Sequence, residues 1–197
     1  MVVGITGGIG SGKTTVVNFF KTFKNIAVYL ADVEAKKLMQ TSTIIKSKLI
    51  AEFGVEAYEG NELNRSFIAA IVFCDKKKLA NLNSIVHPEV ATHFQDFIRK
   101  NNKKAYVLYE NAILFENGSN KLCDVIISVT APIKTRIERV LARDKTTKDA
   151  VLARINNQWS EEKKTLQSNY LIENDVLEDT KKKINALHTI LLKNRKL

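Results

Sequence analysis

Only two cysteines, Cys74 and Cys123, occur in 197 residues, far apart and with no CxxC pair or Cys/His cluster. That argues against a disulfide framework and a zinc site, fits a reducing compartment, and gives both thiols a buried structural role. No apolar run approaches the ~18 residues of a membrane span. The opening "MVVGITGG" has no basic n-region ahead of its glycines and would make a poor signal peptide. These absences point to a cytoplasmic location and away from a membrane. Internal repeats and low-complexity linkers are missing as well. Acidic residues are the scarcer charge, 21 Asp+Glu against 31 Lys+Arg, which leaves a net charge of +10. Such a surplus suits either a polyanionic partner or a soluble basic surface. The lysine runs at 76–78 and 181–183 and the tail "KNRKL" carry no interleaved aromatic residues for base stacking, so solvated helix faces outweigh nucleic-acid binding.

The remainder, 45% hydrophobic and 26% charged, suffices for one globular domain with a full core. Short apolar runs alternate with helical periodicity, the signature of a parallel sheet with crossover helices. Strands are expected at 1–6, 25–31, 105–110 and 124–130, with a short edge strand at 170–173. Val16, Phe20 and Phe23 give the first helix an apolar face, and Val90, Phe94 and Phe97 do so for a helix opened by Pro88. Residues 41–88 are too long for one crossover helix and include the helical pattern "RSFIAAIVF", which predicts an inserted helical lobe. Residues 132–160 read as two charged helices joined by a polar turn at 145–148, and Ile184, Leu187 and Leu191 mark a closing helix.

Gly7-Gly8-Ile9-Gly10-Ser11-Gly12-Lys13-Thr14 fits G-x-x-x-x-G-K-[ST] between a predicted strand and a predicted helix. Glycines let such a loop turn successive N–H groups inward onto phosphate oxygens, aided by the positive end of the following helix. The expected nucleotide contacts are Gly8, Ile9, Gly10, Ser11, Gly12, Lys13, Thr14 and Thr15. Lys13 would reach the β- and γ-phosphates, and the Thr14 hydroxyl would help hold Mg²⁺. What the nucleotide is for depends on what accompanies the loop. Asn120-Lys121-Leu122 is followed by Cys123 where guanine-selective N-K-x-D needs aspartate, which weakens a GTPase switch. "YVLYE" ends in Glu110, and no apolar strand closes on an Asp-Glu pair, which weakens a motor or DNA-linked ATPase. A small kinase fits better.

A kinase of this kind needs a carboxylate at the carboxyl end of a strand, where open α/β sheets build their sites. Asp32, closing "NIAVYLAD", fills that position; it either accepts a proton from the acceptor hydroxyl or caps the helix that follows. Arg136, Arg139 and Arg143 share one helix face, either solvated or belonging to a lid that closes over the nucleotide and keeps water out. His87, held extended by Pro88, reads by itself as a structural residue at a helix start.

Taken in order, these segments resemble the dephospho-coenzyme A kinase family nearly end to end. The resemblance rests on "GITGGIGSGKTT", "LADVEAKKL", "NELNRSFIAAIVF", "LNSIVHPEV", "ENAILFE" with Phe115 and Glu116, "RIERVLARD", "RINNQ" with Arg154 and Gln158, and "NYLIEN" ending in Asn174. It implies a P-loop NTPase-type parallel sheet flanked by helices, with a core at 1–40, 102–131 and 168–197. An inserted helical substrate lobe at about 41–101 and a helical lid at about 132–160 complete the implied fold. The implied reaction is ATP-dependent phosphorylation of the ribose 3′-hydroxyl of dephospho-CoA, the last step of coenzyme A synthesis, with Mg²⁺ accompanying ATP. Asp32 becomes the catalytic base beside Lys13 and Arg139, and Arg143 an ATP contact. Arg65 and His87 become substrate-lobe contacts, and Glu110 joins them on the acceptor side. Leu30, Lys36, Asn64, Ala112 and Asn169 depart from the residues usual in the family. The alternatives are another small-molecule or nucleoside monophosphate kinase, or a nucleic-acid-associated NTPase.

Overall fold

Val2–Thr6 forms strand β1, and all five of its residues are buried, the pattern of a central strand covered on both faces. The computed structural model describes residues 1–194. In it β1 pairs in parallel with β5 (Val107–Glu110) on one side and β6 (Val125–Thr130) on the other, and β6 pairs in parallel with β7 (Tyr170–Glu173). With β2 (Ala27–Leu30) the sheet runs β2-β5-β1-β6-β7, so the short strand expected at 170–173 is an edge strand. The chain divides into two compact units, Leu30–Lys100 and Met1–Tyr29 with the chain from Asn101 onward.

In the sheet unit, α1 (Lys13–Phe20) packs on α9 (Leu177–Asn194); Val16, Val17 and Phe20 are buried on the first helix and Ile184, Leu187 and Leu191 on the second. The expected apolar face of α1 overran its end. The helix stops at Phe20 because the chain tightens there, with Thr22 N bonding Phe19 O and Phe23 N bonding Phe20 O. Phe23 instead stacks on His188, with ring centroids 3.8 Å apart, and His188 Nδ1 shares a 2.8 Å hydrogen bond with the Tyr106 hydroxyl. Three further helices follow β6: α6 (Ile133–Arg143), α7 (Lys148–Asn156) and α8 (Glu161–Leu166). The turn expected at 145–148 separates α6 from α7, and the Thr147 hydroxyl caps α7 by accepting from Ala150 N.

The Leu30–Lys100 unit contains α2 (Ala31–Thr41), α3 (Thr43–Phe53), a hairpin of β3 (Tyr58–Glu59) and β4 (Glu62–Leu63), α4 (Arg65–Cys74) and α5 (Lys76–Lys100). Ile45, Leu49, Phe53, Tyr58, Ile68, Val86, Val90 and Phe94 form its core. Ser42 and Asn64 start α3 and α4 by accepting from Ile45 N and Phe67 N. Pro88 does not open a helix: α5 begins twelve residues earlier and runs through it. The buried row Val86, Val90, Phe94 continues across the proline, so packing against α2, α3 and α4 offsets the lost N–H bond.

The two thiols part company. Cys123 is half-buried, its sulfur 2.7 Å from where a Cβ on Gly4 would sit, and burial, with the nearby Asp124 charge, pushes the thiol up to about 12. Cys74 is exposed, contrary to the expected buried role, because it ends α4 next to Phe73, itself 91% exposed. Lys76 and Lys77 are exposed, and Lys78 is half-buried and paired to Glu52 at 2.9 Å. Residues 195–197 of the basic tail lie outside the described residues. Among the described residues no helix is long and apolar enough to cross a membrane.

Candidate active site

The chain leaves β1 at Thr6, crosses Gly7–Gly12 and enters α1 at Lys13. Gly10 and Gly12 adopt left-handed φ of 79° and 83°, a region costly for other residues. They also have no room for a side chain: a Cβ on Gly10 would lie 2.4 Å from the backbone oxygen of Arg136, and one on Gly12 1.9 Å from Asn174 Nδ2.

Side chains from distant segments hold the outside of this loop. Arg136 Nε donates to Ile9 O at 2.9 Å, and Asn174 Nδ2 donates to Ser11 O at 2.9 Å and Gly12 O at 3.4 Å. Lys13 Nζ donates to Gly7 O at 2.9 Å. In a trans peptide the N–H points opposite its carbonyl, so these bonds fix the directions of the Gly10, Gly12 and Lys13 amides. Two loop amides are engaged elsewhere, Ile9 N by Gln158 Oε1 at 2.9 Å and Ser11 N by Gly8 O at 3.1 Å. The first intrahelical bond of α1 runs from Val16 N to Gly12 O, which places residues 13–15 in the first turn of the helix. Ser11 is fully buried, yet its hydroxyl has no hydrogen-bond partner among the described residues. A buried polar atom left unpaired costs about 1–3 kcal/mol.

The three arginines on one face of α6 have three different surroundings. Arg136, expected to be solvated or part of a lid surface, is buried and ion-paired to Glu161 at 3.1 Å. Its place beside the loop explains the difference, because Ile9 O and Glu161 satisfy a guanidinium that water cannot reach. Arg139 is half-buried and donates to Asn174 O at 2.9 Å, its Nη1 lying 3.5 Å from where a Gly12 Cβ would be. Arg143 is exposed and forks onto Asp144, which also binds Arg154; these contacts hold the Asp144 carboxyl below the usual range. Phe115 stacks on Trp159, and Glu116 accepts from Trp159 N and pairs with the buried Lys164, both at 2.9 Å. Burial pushes the Glu116 carboxyl up, but Lys164 and the Trp159 amide outweigh it and hold the carboxyl below its ordinary range.

Glu110 ends β5 in register with Ile5, two residues before the glycine loop. Asp32 is the second residue of α2 and exposed; Leu30 occupies the cap position and no side chain caps the helix, so Asp32 is not the N-cap. Arg65 opens α4, where it lines two grooves of the Leu30–Lys100 unit. The first, about 500 Å³, carries Lys36, His93 and the Lys37–Glu34 ion pair at 2.8 Å; the second, about 580 Å³, carries Glu59 and Glu62, and Gln40 lines both. His87 is exposed on α5 and lines neither groove, whereas His93 lines the first. His93 had no adjacent motif to mark it, and Glu161 none to pair it with Arg136. Among the described residues no three His, Cys, Asp or Glu side chains gather to hold a metal.

The family model for dephospho-CoA kinase (CoaE) matches residues 1–179. The chain belongs to the dephospho-CoA kinase family. It is 37% identical over 190 residues to the dephospho-CoA kinase of Salinibacter ruber, covering 94% of this chain and 95% of that one. It is 34% identical over 173 residues to the enzyme of Bacteroides fragilis strain YCH46, covering 88% and 84%. The crystal structure of TT1252 from Thermus thermophilus superposes with a TM-score of 0.84 at 30% identity over 98% of this chain and 97% of that one. Dephospho-CoA kinase from Campylobacter jejuni, at 22% identity, gives 0.72 over 98% of both chains, a likeness of fold. Asn64 caps α4 by accepting from Phe67 N at 3.0 Å, and Asn169 Oδ1 accepts from Ile126 N at 2.8 Å.

Proposed function

We propose that this chain transfers the γ-phosphoryl group of ATP to the ribose 3′-hydroxyl of dephospho-CoA, giving coenzyme A and ADP. The observation that carries the reading is the glycine loop entering α1 with its Ile9, Ser11 and Gly12 carbonyls held by Arg136 and Asn174, in a chain of this family. The Gly10, Gly12, Lys13, Thr14 and Thr15 amides would hold the phosphates, and Lys13 Nζ would move from Gly7 O onto them. The ribose oxygen attacks the γ-phosphorus, the bond to the β,γ-bridging oxygen breaks, and Asp32 takes the hydroxyl proton. Arg139 would neutralise charge building on the transferring group, and residues 132–160 would act as the lid that excludes water, since water would otherwise be the acceptor. Mg²⁺ would be held by the exposed Thr14 hydroxyl together with phosphate oxygens and water, a ligand set suited to an ion that needs few protein groups, and it would screen phosphate charge. Arg65 and Lys36 in the first groove suit the acceptor's diphosphate, with Lys37 already paired to Glu34.

The test is ADP release with dephospho-CoA set against nucleoside monophosphates, with the product checked by mass for one added phosphoryl group. Release with dephospho-CoA alone is expected. Release only with a monophosphate would move the chain to the nucleoside monophosphate kinases, and no release with dephospho-CoA would overturn the assignment.

A further inference from the structure

We propose that Arg136 is a positioning residue for ATP: it sets the peptide planes of the phosphate loop from outside while its own charge is committed to Glu161. The proposal rests on the reading that the loop holds ATP. Arg136 comes from the first turns of α6, and its backbone and side chain touch the loop separately. Its Nε donates to Ile9 O at 2.9 Å, and its backbone oxygen would lie 2.4 Å from a Cβ on Gly10. The guanidinium covers Gly8, where a Cβ would lie 2.3 Å from Nη2. Fixing Ile9 O points the Gly10 amide the opposite way, because C=O and N–H of one trans peptide are antiparallel. Gln158 Oε1 draws the preceding amide, Ile9 N, outward at 2.9 Å. The two adjacent peptides are thus held in opposed orientations, and the turn between them cannot flip without breaking one bond or the other.

Glu161 is what frees Arg136 for this task. It takes Nη1 at 3.1 Å through one carboxylate oxygen and accepts from Ala131 N at 3.3 Å through the other, tying the pair to the end of β6. With its charge balanced and its side chain buried, Arg136 offers the loop directed N–H donors and no mobile cation. That separates it from Arg139, whose half-buried guanidinium lies beside Gly12.

Arg136→Lys keeps the charge but cannot serve Ile9 O and Glu161 with a rigid fork, and Arg136→Met removes both bonds at similar length. For Arg136→Met we expect the Kd of ATP by calorimetry and the KM for ATP to rise about tenfold or more, as for loss of one aligned donor. The KM for dephospho-CoA should stay within about twofold, and Arg136→Lys should fall between wild type and Arg136→Met. ATP affinity unchanged within about twofold in a folded Arg136→Lys, or both KM values rising together, would overturn the proposal. Should Arg136→Met fail to fold, Arg136→Lys decides. ATP calorimetry needs no acceptor, so a wild-type protein that binds ATP but ignores dephospho-CoA would fault the acceptor assignment and leave Arg136 tested.

Discussion

Asn174→Ala removes the side chain that holds Ser11 O and Gly12 O, and the structure limits what that should cost. The Thr180 hydroxyl loses Asn174 Oδ1 at 3.2 Å but keeps Val176 O at 2.9 Å, so its share is small. Gly12 O loses a long 3.4 Å contact and still accepts from Val16 N at 3.2 Å. The cost therefore concentrates on Ser11 O, whose 2.9 Å bond comes from a buried amide. A buried acceptor left unpaired costs about 1–3 kcal/mol, so we expect about 2 kcal/mol and, for a chain of this length, a Tm lower by about 4–8 °C. Freeing the Ser11–Gly12 peptide also loosens the Gly12 amide, which should weaken ATP. At ATP equal to about 100 times the wild-type Kd, binding adds about 2.7 kcal/mol to stability; a tenfold weaker variant gains about 1.4 kcal/mol at the same concentration. Urea unfolding with and without ATP measures both numbers. A variant within about 0.5 kcal/mol of wild type would refute the first step. One that loses stability but keeps the full ATP increment would make Asn174 a packing residue and refute the second.

Asp32→Asn should lower kcat by about 10²-fold or more while the calorimetric Kd for ATP stays unchanged; near-normal turnover would remove Asp32 from the chemistry. Arg139→Met should slow steady-state ADP release by about 10³-fold, as for a phosphoryl-transfer arginine. Arg143→Met should cost about tenfold or less, because its guanidinium is already forked onto Asp144, and an equal loss in both variants would contradict the difference in their surroundings. Burial holds the His188 imidazole below its ordinary range, so the unfolded chain takes up a proton that the folded one resists. That stability is complete above about pH 6.5 and falls as pH drops toward the folded-state value, then levels off. Replacing His188 with Phe should flatten the urea midpoint over that window, and an unchanged acid slope would show that another group causes it.

What could be read from the sequence is what short stretches decide by themselves. The strand, glycine loop and helix at residues 2–20 are local, and so are the two helices on either side of Thr147, where a hydroxyl cap and a polar turn sit within a few residues. Pro88 misled because its local preference is for a helix start, while Val86, Val90 and Phe94 bury one continuous face across it. Cys74 misled for the converse reason: cysteine is usually buried, but the end of α4 has nothing to pack on it. Asp32 was legible as a strand-end carboxylate, and its alternative as a cap failed by two residues, since the helix had already begun at Ala31.

The glycine motif shows most plainly where sequence reading stops. Its spacing declares that side chains are forbidden at certain positions, but not what forbids them. At Gly10 and Gly12 part of the reason is a left-handed φ, which the motif alone suggests. Gly8 has no positive φ, and there the constraint is a neighbour, the Arg136 guanidinium from 128 residues away in the sequence. Asn174 presses on Gly12 in the same way from across the sheet unit. Part of the phosphate loop's shape is therefore encoded outside it, in an arginine that periodicity could place only on a helix face and an asparagine that follows an edge strand. Those residues matter through the direction of backbone amides they never touch, because holding a carbonyl on one side of a planar peptide decides which way its N–H points.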